Sequence, residues 1–297
     1  MQRIRDLIQR HLKRTQLEDK SVSVQRLKRM PILIDKLQRN SLDGLTANTI
    51  CIRRMHDLGG VRIIVPTLTD LEILNKSLKS SRSAHKCRNF DYITNPNKSG
   101  YRSIHRVYNC FYHRSDHPEK GRRIEIQLRT QRQYYWAIAV EIIDILDEQT
   151  LKTNPKQACP KWKRFFHLLG EAMGSRDLNV KPRENILDEL NKLNSELRFI
   201  EKLRQFRCVI RNSTSGASKP HKGYSLLEYD ETGSKISTYA RRHKLKALQE
   251  YQKLESKPNS LCVFVLNSST KNLQKGYINY LGVTHEMVSE LEEIFEE

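Results

Sequence analysis

The chain is predicted to belong to the α/β class, on three observations. Gly60 to Val65 is a short β-branched run followed, after Pro66, by apolar residues at helical spacing (Leu68, Leu71, Ile73, Leu74, Leu78). Arg123 to Arg129 alternates strictly, with Ile124, Ile126 and Leu128 on one face and Glu125, Gln127 and Arg129 on the other, the pattern of a half-buried strand. A second set of short strand-like runs follows beyond residue 223, which predicts a smaller α/β unit at the C-terminal end.

Taken in order, residues 1 to 40 carry helix-like periodicity, broken near Ser21 to Ser23 and near Pro31, with Ile32, Leu33, Ile34 and Leu37 under Lys36 and Arg39. After the first strand and helix, Cys87 to Gly100 is rich in Asn, Pro, Ser and Lys and reads as a loop. Ser103 to His113 and Arg122 to Arg129 read as strands around a polar turn, and Tyr134 to Leu146 as a helix. Trp162, Phe165, Phe166, Leu168 and Leu169 mark another helix, ending near Gly174. These elements delimit a domain over residues 1–175. Residues 176–206 form a connecting segment, since Ile186, Leu190, Leu193, Leu197, Ile200 and Leu203 recur at threes and fours as one helical stripe. Residues 207–297 hold the smaller unit. It opens with a Ser/Gly/Lys-rich link from Asn212 to Lys222, then strands around the turn at 230–233, a helix near Leu245 to Leu254, a strand at Cys262 to Asn267 and a final helix from His285.

The 297 residues hold 53 Lys+Arg against 34 Asp+Glu, a net charge of +19 that implies a polyanionic partner such as nucleotide phosphates or nucleic acid. No run of about 18 apolar residues exists, which excludes a membrane helix, and the basic start suits an amphipathic helix better than an export signal. A cytoplasmic protein is expected. The six cysteines lie far apart without a CxxC pair, so they read as small buried apolar residues rather than a zinc or redox site. Neither G-x-x-x-x-G-K-[ST] nor G-x-G-x-x-G occurs, which argues against a P-loop or Rossmann nucleotide site.

Four stretches could carry chemistry. Asp57 precedes a strand in His56-Asp57-Leu58-Gly59-Gly60-Val61-Arg62, where a capping or solvated aspartate is the better explanation of a lone example. The His56-Asp57 pair lacks the further ligands that a metal phosphohydrolase needs. Glu125 lies on the polar face of its strand. Carboxylates on two predicted strands are what Mg²⁺ bridging nucleotide phosphates requires. Between Asp91 and His105, Gly100 frees the backbone, Tyr101 offers a face for a base, and Lys98, Arg102 and His105 can meet phosphates. Arg26, Lys28, Lys36 and Arg39 form a basic group in which Lys36 and Arg39 stand at i, i+3. They could clamp a triphosphate, although taken alone a solvated charged face explains them better.

In order along the chain, Asp57-x-x-Gly-Val-Arg62-Ile, Asp91-Tyr92-Ile, Gly100-Tyr101-x-Ser103-Ile-His105 and Glu125-Ile-Gln127-x-Arg129-Thr130 resemble the motifs of RelA/SpoT synthetase domains over roughly residues 20 to 175. The resemblance implies a nucleotidyltransferase-like mixed β-sheet flanked by helices. It also implies transfer of pyrophosphate from ATP to the 3′-hydroxyl of GTP or GDP, making (p)ppGpp. By motif position, Asp57 would hold Mg²⁺, and Glu125 would hold Mg²⁺ or accept the proton of the acceptor's hydroxyl. Arg26, Lys28, Lys36, Arg39 and Arg62 would grip ATP. Tyr101 would stack on guanine, and Lys98, His105, Gln127 and Arg129 would line the acceptor side. Family members often carry a basic residue where Phe90 stands and a Lys where Asn97 stands, with Lys98 here displaced by one. The acceptor is therefore open between a guanine nucleotide and the 3′ end of tRNA, and a non-catalytic nucleotide-sensing module is the third alternative. Neither a preceding hydrolase domain nor the large regulatory C-terminus of ribosome-associated members is expected. A homo-oligomer built on the Ile186 to Leu203 stripe is left open.

Overall fold

In β5 (Arg123–Thr130), alternation sends Ile124, Ile126 and Leu128 to one face of a sheet and Glu125, Gln127 and Arg129 to the other. The computed structural model describes residues 2–27, 34, 55, 58–111, 120–152, 154–204, 223–230, 233–255, 261–267 and 286–296. Two compact units divide the chain: Met1–Tyr134 with Gly170–Pro182, and Tyr135–Leu169 with Arg183–Glu297.

The first unit is built on a five-stranded mixed sheet. Its strands are β1 (Val22–Leu27), β2 (Gly59–Val65), β3 (Lys86–Asp91), β4 (Ile104–Asn109) and β5, in the order β1-β2-β5-β4-β3. Only β2 and β5 run parallel; the other three pairings are antiparallel. One face of this sheet is the core. Val61, Ile63, Val65, Ile104, Tyr108, Ile124, Ile126 and Leu128 pack there with Ile4, Leu7, Ile8 and Leu12 of α1 (Gln2–Arg14) and Leu71, Leu74 and Leu78 of α2 (Leu68–Lys79). Helix α2 starts where Thr67 Oγ1 accepts from the Asp70 amide at 3.1 Å, a cap that satisfies one of the open N–H groups of the first turn. Arg106 enters this apolar layer from β4 with a partner for each guanidinium nitrogen, donating to Asn75 Oδ1 at 2.9 Å, the Leu78 carbonyl at 3.1 Å and Tyr108 Oη at 3.2 Å.

The second unit has two parts. Trp162, Phe165, Phe166 and Phe199 form an aromatic cluster with ring centroids 4.6 to 6.0 Å apart. Its rings come from the first half of α4 (Pro160–Asp177) and the turn after α5 (Glu184–Leu197), while α3 (Gln131–Leu146) adds Trp136 against Phe166. A three-stranded antiparallel sheet of β6 (Gly223–Asp230), β7 (Gly233–Ala240) and β8 (Leu261–Asn267), in the order β7-β6-β8, packs Leu226 and Tyr239 against Leu254 and Tyr251 of α6 (Lys244–Glu255).

Four local expectations are corrected. The stretch from Cys87 to Gly100 is not all loop, because β3 occupies its start. Its residues are exposed on both faces at a sheet edge, so it carries no apolar alternation to read. The segment after Ser21 is strand rather than helix. Val22 and Val24 alternate along β1, which pairs with β2, and this places Arg26 on a strand. The stripe from Ile186 to Leu203 is broken at Arg198, whose φ of 54° ends α5 before a further helical turn at 199–204. Finally, Cys87 is exposed, whereas Cys110 is buried as expected. The final helix expected from His285 covers 286–296, and the link from Asn212 to Lys222 lies outside the described residues.

Leu74 is fully buried between α2 and the sheet. Leu74→Ala removes that packing and should lower the unfolding free energy by about 3 kcal/mol, read as a fall in the urea midpoint of the first unit.

Candidate active site

The face of the sheet opposite the core gathers the polar residues of three neighbouring strands. The β2–β5 register sets Gly60 beside Glu125 and Arg62 beside Gln127, and the β4–β5 register sets His105 beside Gln127 from the other side. Gly60 is required there for space, since a Cβ at this position would lie 2.8 Å from the Glu125 carbonyl oxygen.

Glu125 is held by both oxygens: His105 Nδ1 donates to Oε1 at 2.9 Å, and Gln127 Nε2 donates to Oε2 at 2.7 Å. Gln127 Oε1 accepts from Arg62 Nε at 3.3 Å and from Arg129 Nη2 at 3.1 Å. Arg129 Nη2 also donates to Tyr101 Oη at 2.8 Å, and Tyr101 Oη lies 2.6 Å from His105 Nε2. The ends of this ring fix its direction. A guanidinium only donates and a carboxylate only accepts, so neutral His105 carries its proton on Nδ1 and accepts from the Tyr101 hydroxyl at Nε2. The Arg129 guanidinium also lies 5.2 Å from the Tyr101 ring centroid.

This wiring shifts two protonation equilibria. Burial acts to raise the Tyr101 phenol, but the Arg129 charge and His105 outweigh it and bring the phenol down from 10.0 to about 8. Burial likewise acts to lower His105, but its bond to Glu125, together with Tyr101, raises the imidazole above its ordinary 6.5. Tyr92, Tyr101 and His105 meet edge to face, with centroids 5.1 to 5.9 Å apart. Tyr92 belongs to the Asp91-Tyr92-Ile motif, but nothing in the sequence assigned it to the ring. Asp91 itself shapes the turn, its Oδ1 accepting from the amides of Ile93 at 2.9 Å and Thr94 at 3.0 Å.

The structure thus brings Arg62, Tyr101, His105, Glu125, Gln127 and Arg129 together. Lys98 is exposed on the turn at 97–100 and stands outside the ring, while Asn97 shapes that turn, its carbonyl accepting from the Gly100 amide at 2.8 Å. Asp57, Lys28, Lys36 and Arg39 lie outside the described residues, and Arg26 is placed only by its strand. Among the described residues no group of three or more His, Cys, Asp or Glu could hold a metal. The donor set still fits Mg²⁺, which is commonly bound through one or two carboxylates and the substrate's phosphates. Glu125 supplies one such carboxylate, its side chain 16% exposed on the polar face. With Arg62 and Arg129 around a single carboxylate, the face is suited to an anionic ligand.

Residues 25–142 match the family described as the region found in RelA / SpoT proteins. This segment contains every residue of the ring. The chain is similar to GTP pyrophosphokinases YwaC and YjbM of Bacillus subtilis (strain 168), each 30% identical over 112 residues, or 38% of this chain and 52% and 50% of theirs. The chain spans about half the length of these curated relatives. Among solved structures it is similar to the small alarmone synthetase 1 from Bacillus subtilis, at 25% identity over 53% of this chain and 74% of that one, with a TM-score of 0.41. Among the described residues no helix is long and apolar enough to cross a membrane.

Phenolate absorbance should show one of the twelve tyrosines titrating near 8. That step should vanish in Tyr101→Phe and move up in Arg129→Gln. Because folding raises His105, its share of stability is full below 6.5 and is lost as pH rises through the folded value. Glu125→Gln removes the main raising contact, so the imidazole resonances of His105 should titrate at lower pH.

Proposed function

We propose that this chain transfers pyrophosphate from ATP to the 3′-hydroxyl of GTP or GDP, making (p)ppGpp. The observation that carries the reading is the ring that fixes Glu125 beside Arg62 and Arg129 within the segment matching the RelA/SpoT region. The acceptor's 3′-oxygen attacks the β-phosphorus of ATP, the bridging α–β bond breaks, and AMP leaves. Glu125 takes the proton of the hydroxyl, its carboxylate aimed by His105 and Gln127. Tyr101 stacks on the guanine, and Lys98, His105, Gln127 and Arg129 line the acceptor side. Arg62, with Arg26, Lys28, Lys36 and Arg39, pairs with the ATP phosphates.

Glu125 would hold Mg²⁺ together with Asp57, which precedes β2 by two residues. Bound there, the ion would neutralise charge on the transferring group; the rest of the catalysis is positioning. ATP and guanine nucleotides are cytoplasmic substrates, which is the compartment this reading assigns.

One feature favours a second acceptor, the 3′ end of tRNA. Phe90 is 40% exposed at the β3 position paired with His105, and offers a further ring for a stacked base. ATP labelled in the β-phosphate, offered with GTP, GDP, ATP or deacylated tRNA, decides between these. Label on a guanine nucleotide is the expected outcome, label on tRNA selects the second reading, and label on neither overturns both. Asp57→Asn and Glu125→Gln should each lower transfer by about 10²-fold or more without loss of folding, as should removal of divalent cations by a chelator.

A further inference from the structure

Helix α4 carries Gly170 and Gly174 about one turn apart, and both face the loop that presents Tyr101. A Cβ on Gly170 would lie 2.3 Å from the Gly100 carbonyl oxygen, and one on Gly174 would lie 2.5 Å from Arg102 Cζ. Gly100 is buried with φ 89°, so the crossing needs glycine on one side for its conformation and on the other for space. Arg102 lies in the room that Gly174 leaves. Its Nε donates to the Gly170 carbonyl at 3.2 Å, and its charge is drawn to Asp177 and Glu171 on the same helix. Asp177 in turn accepts from Thr130 Oγ1 at 2.8 Å and Gln133 Nε2 at 3.1 Å, and pairs with Arg132 at 3.7 Å. The residues on either side of Tyr101 are therefore anchored to one segment of α4. That segment is anchored to the end of β5, the strand that carries Glu125.

We infer that Arg102, seated against Gly174 and bonded to the Gly170 carbonyl, is a positioning residue that holds the Tyr101 loop at a fixed place over β5 and so sets acceptor affinity without touching the acceptor. The inference rests on the reading of Tyr101 as the base-stacking residue. The physical effect is pre-organisation, because a loop already ordered in the free protein loses less freedom when the acceptor binds.

Two variants release the contact by different routes. Gly174→Ala pushes away the far end of a flexible side chain while placing a better helix former in α4, so its Tm should not fall. Arg102→Ala removes the guanidinium. In both, the amides of Asn97 and Gly100, which donate to the carbonyls of Tyr101 at 3.2 Å and Asn97 at 2.8 Å, should exchange hydrogen faster. The acceptor KM should rise by about tenfold, with kcat and the KM for ATP unchanged. Arg102→Lys, which keeps the charge toward Asp177, should recover part of the loss. Unchanged loop exchange in both variants would overturn the inference, as would equal rises in the KM for ATP and acceptor. If the wild-type chain labels no acceptor, the proposed function fails, and loop exchange alone still decides whether Arg102 holds the loop.

Discussion

The parallel pairing of β2 with β5 is the constraint on which the rest of the first unit depends. It sets Gly60 against the Glu125 backbone, closer than any side chain would allow, and Arg62 against Gln127 on the same face. Because side chains alternate along a strand, this register also sends Val61, Ile63, Ile126 and Leu128 together into the core. A slip by one residue would exchange the two faces, turning Glu125 and Arg129 toward α1 and α2. The hydrophobic layer and the polar ring are thus two results of one register.

Within the ring, geometry turns ordinary side chains into a coupled set. Arg129 is 3% exposed, and its guanidinium lies against the Tyr101 hydroxyl and ring and the Gln127 amide oxygen. Among the described residues its Nε and Nη1 are buried without a hydrogen-bond partner, and its charge acts on Tyr101 to lower that phenol. The imidazole between Tyr101 and Glu125 then responds to both neighbours. Any change at one member alters protonation at the others, which is the expected behaviour of a buried polar network.

How much of this was legible in the sequence differs by element. Strand β5 was readable because half its residues face an apolar layer and half do not, and α2 because its apolar spacing follows a recognisable strand and a capping Thr67. The edge strand β3 was misread, since an edge exposed on both faces leaves no periodic signature, and β1 was misread although Val22 and Val24 alternate, because its pairing comes from β2, distant in sequence. At the site, Tyr101, His105, Glu125, Gln127 and Arg129 were nameable from their motifs. The role of Asp91 as a turn-former and the place of Tyr92 beside His105 were not, because both depend on loop geometry.

The sequence by itself determined the class of fold and the identity of the polar residues, because alternation and motif order are local properties that survive without partners. The tertiary structure alone decided which of those residues meet. His105 and Glu125 are twenty positions apart, and Arg62 and Gln127 are sixty-five. Only strand register brings such residues to hydrogen-bonding distance, and it is set by burial of the opposite face rather than by the polar residues themselves.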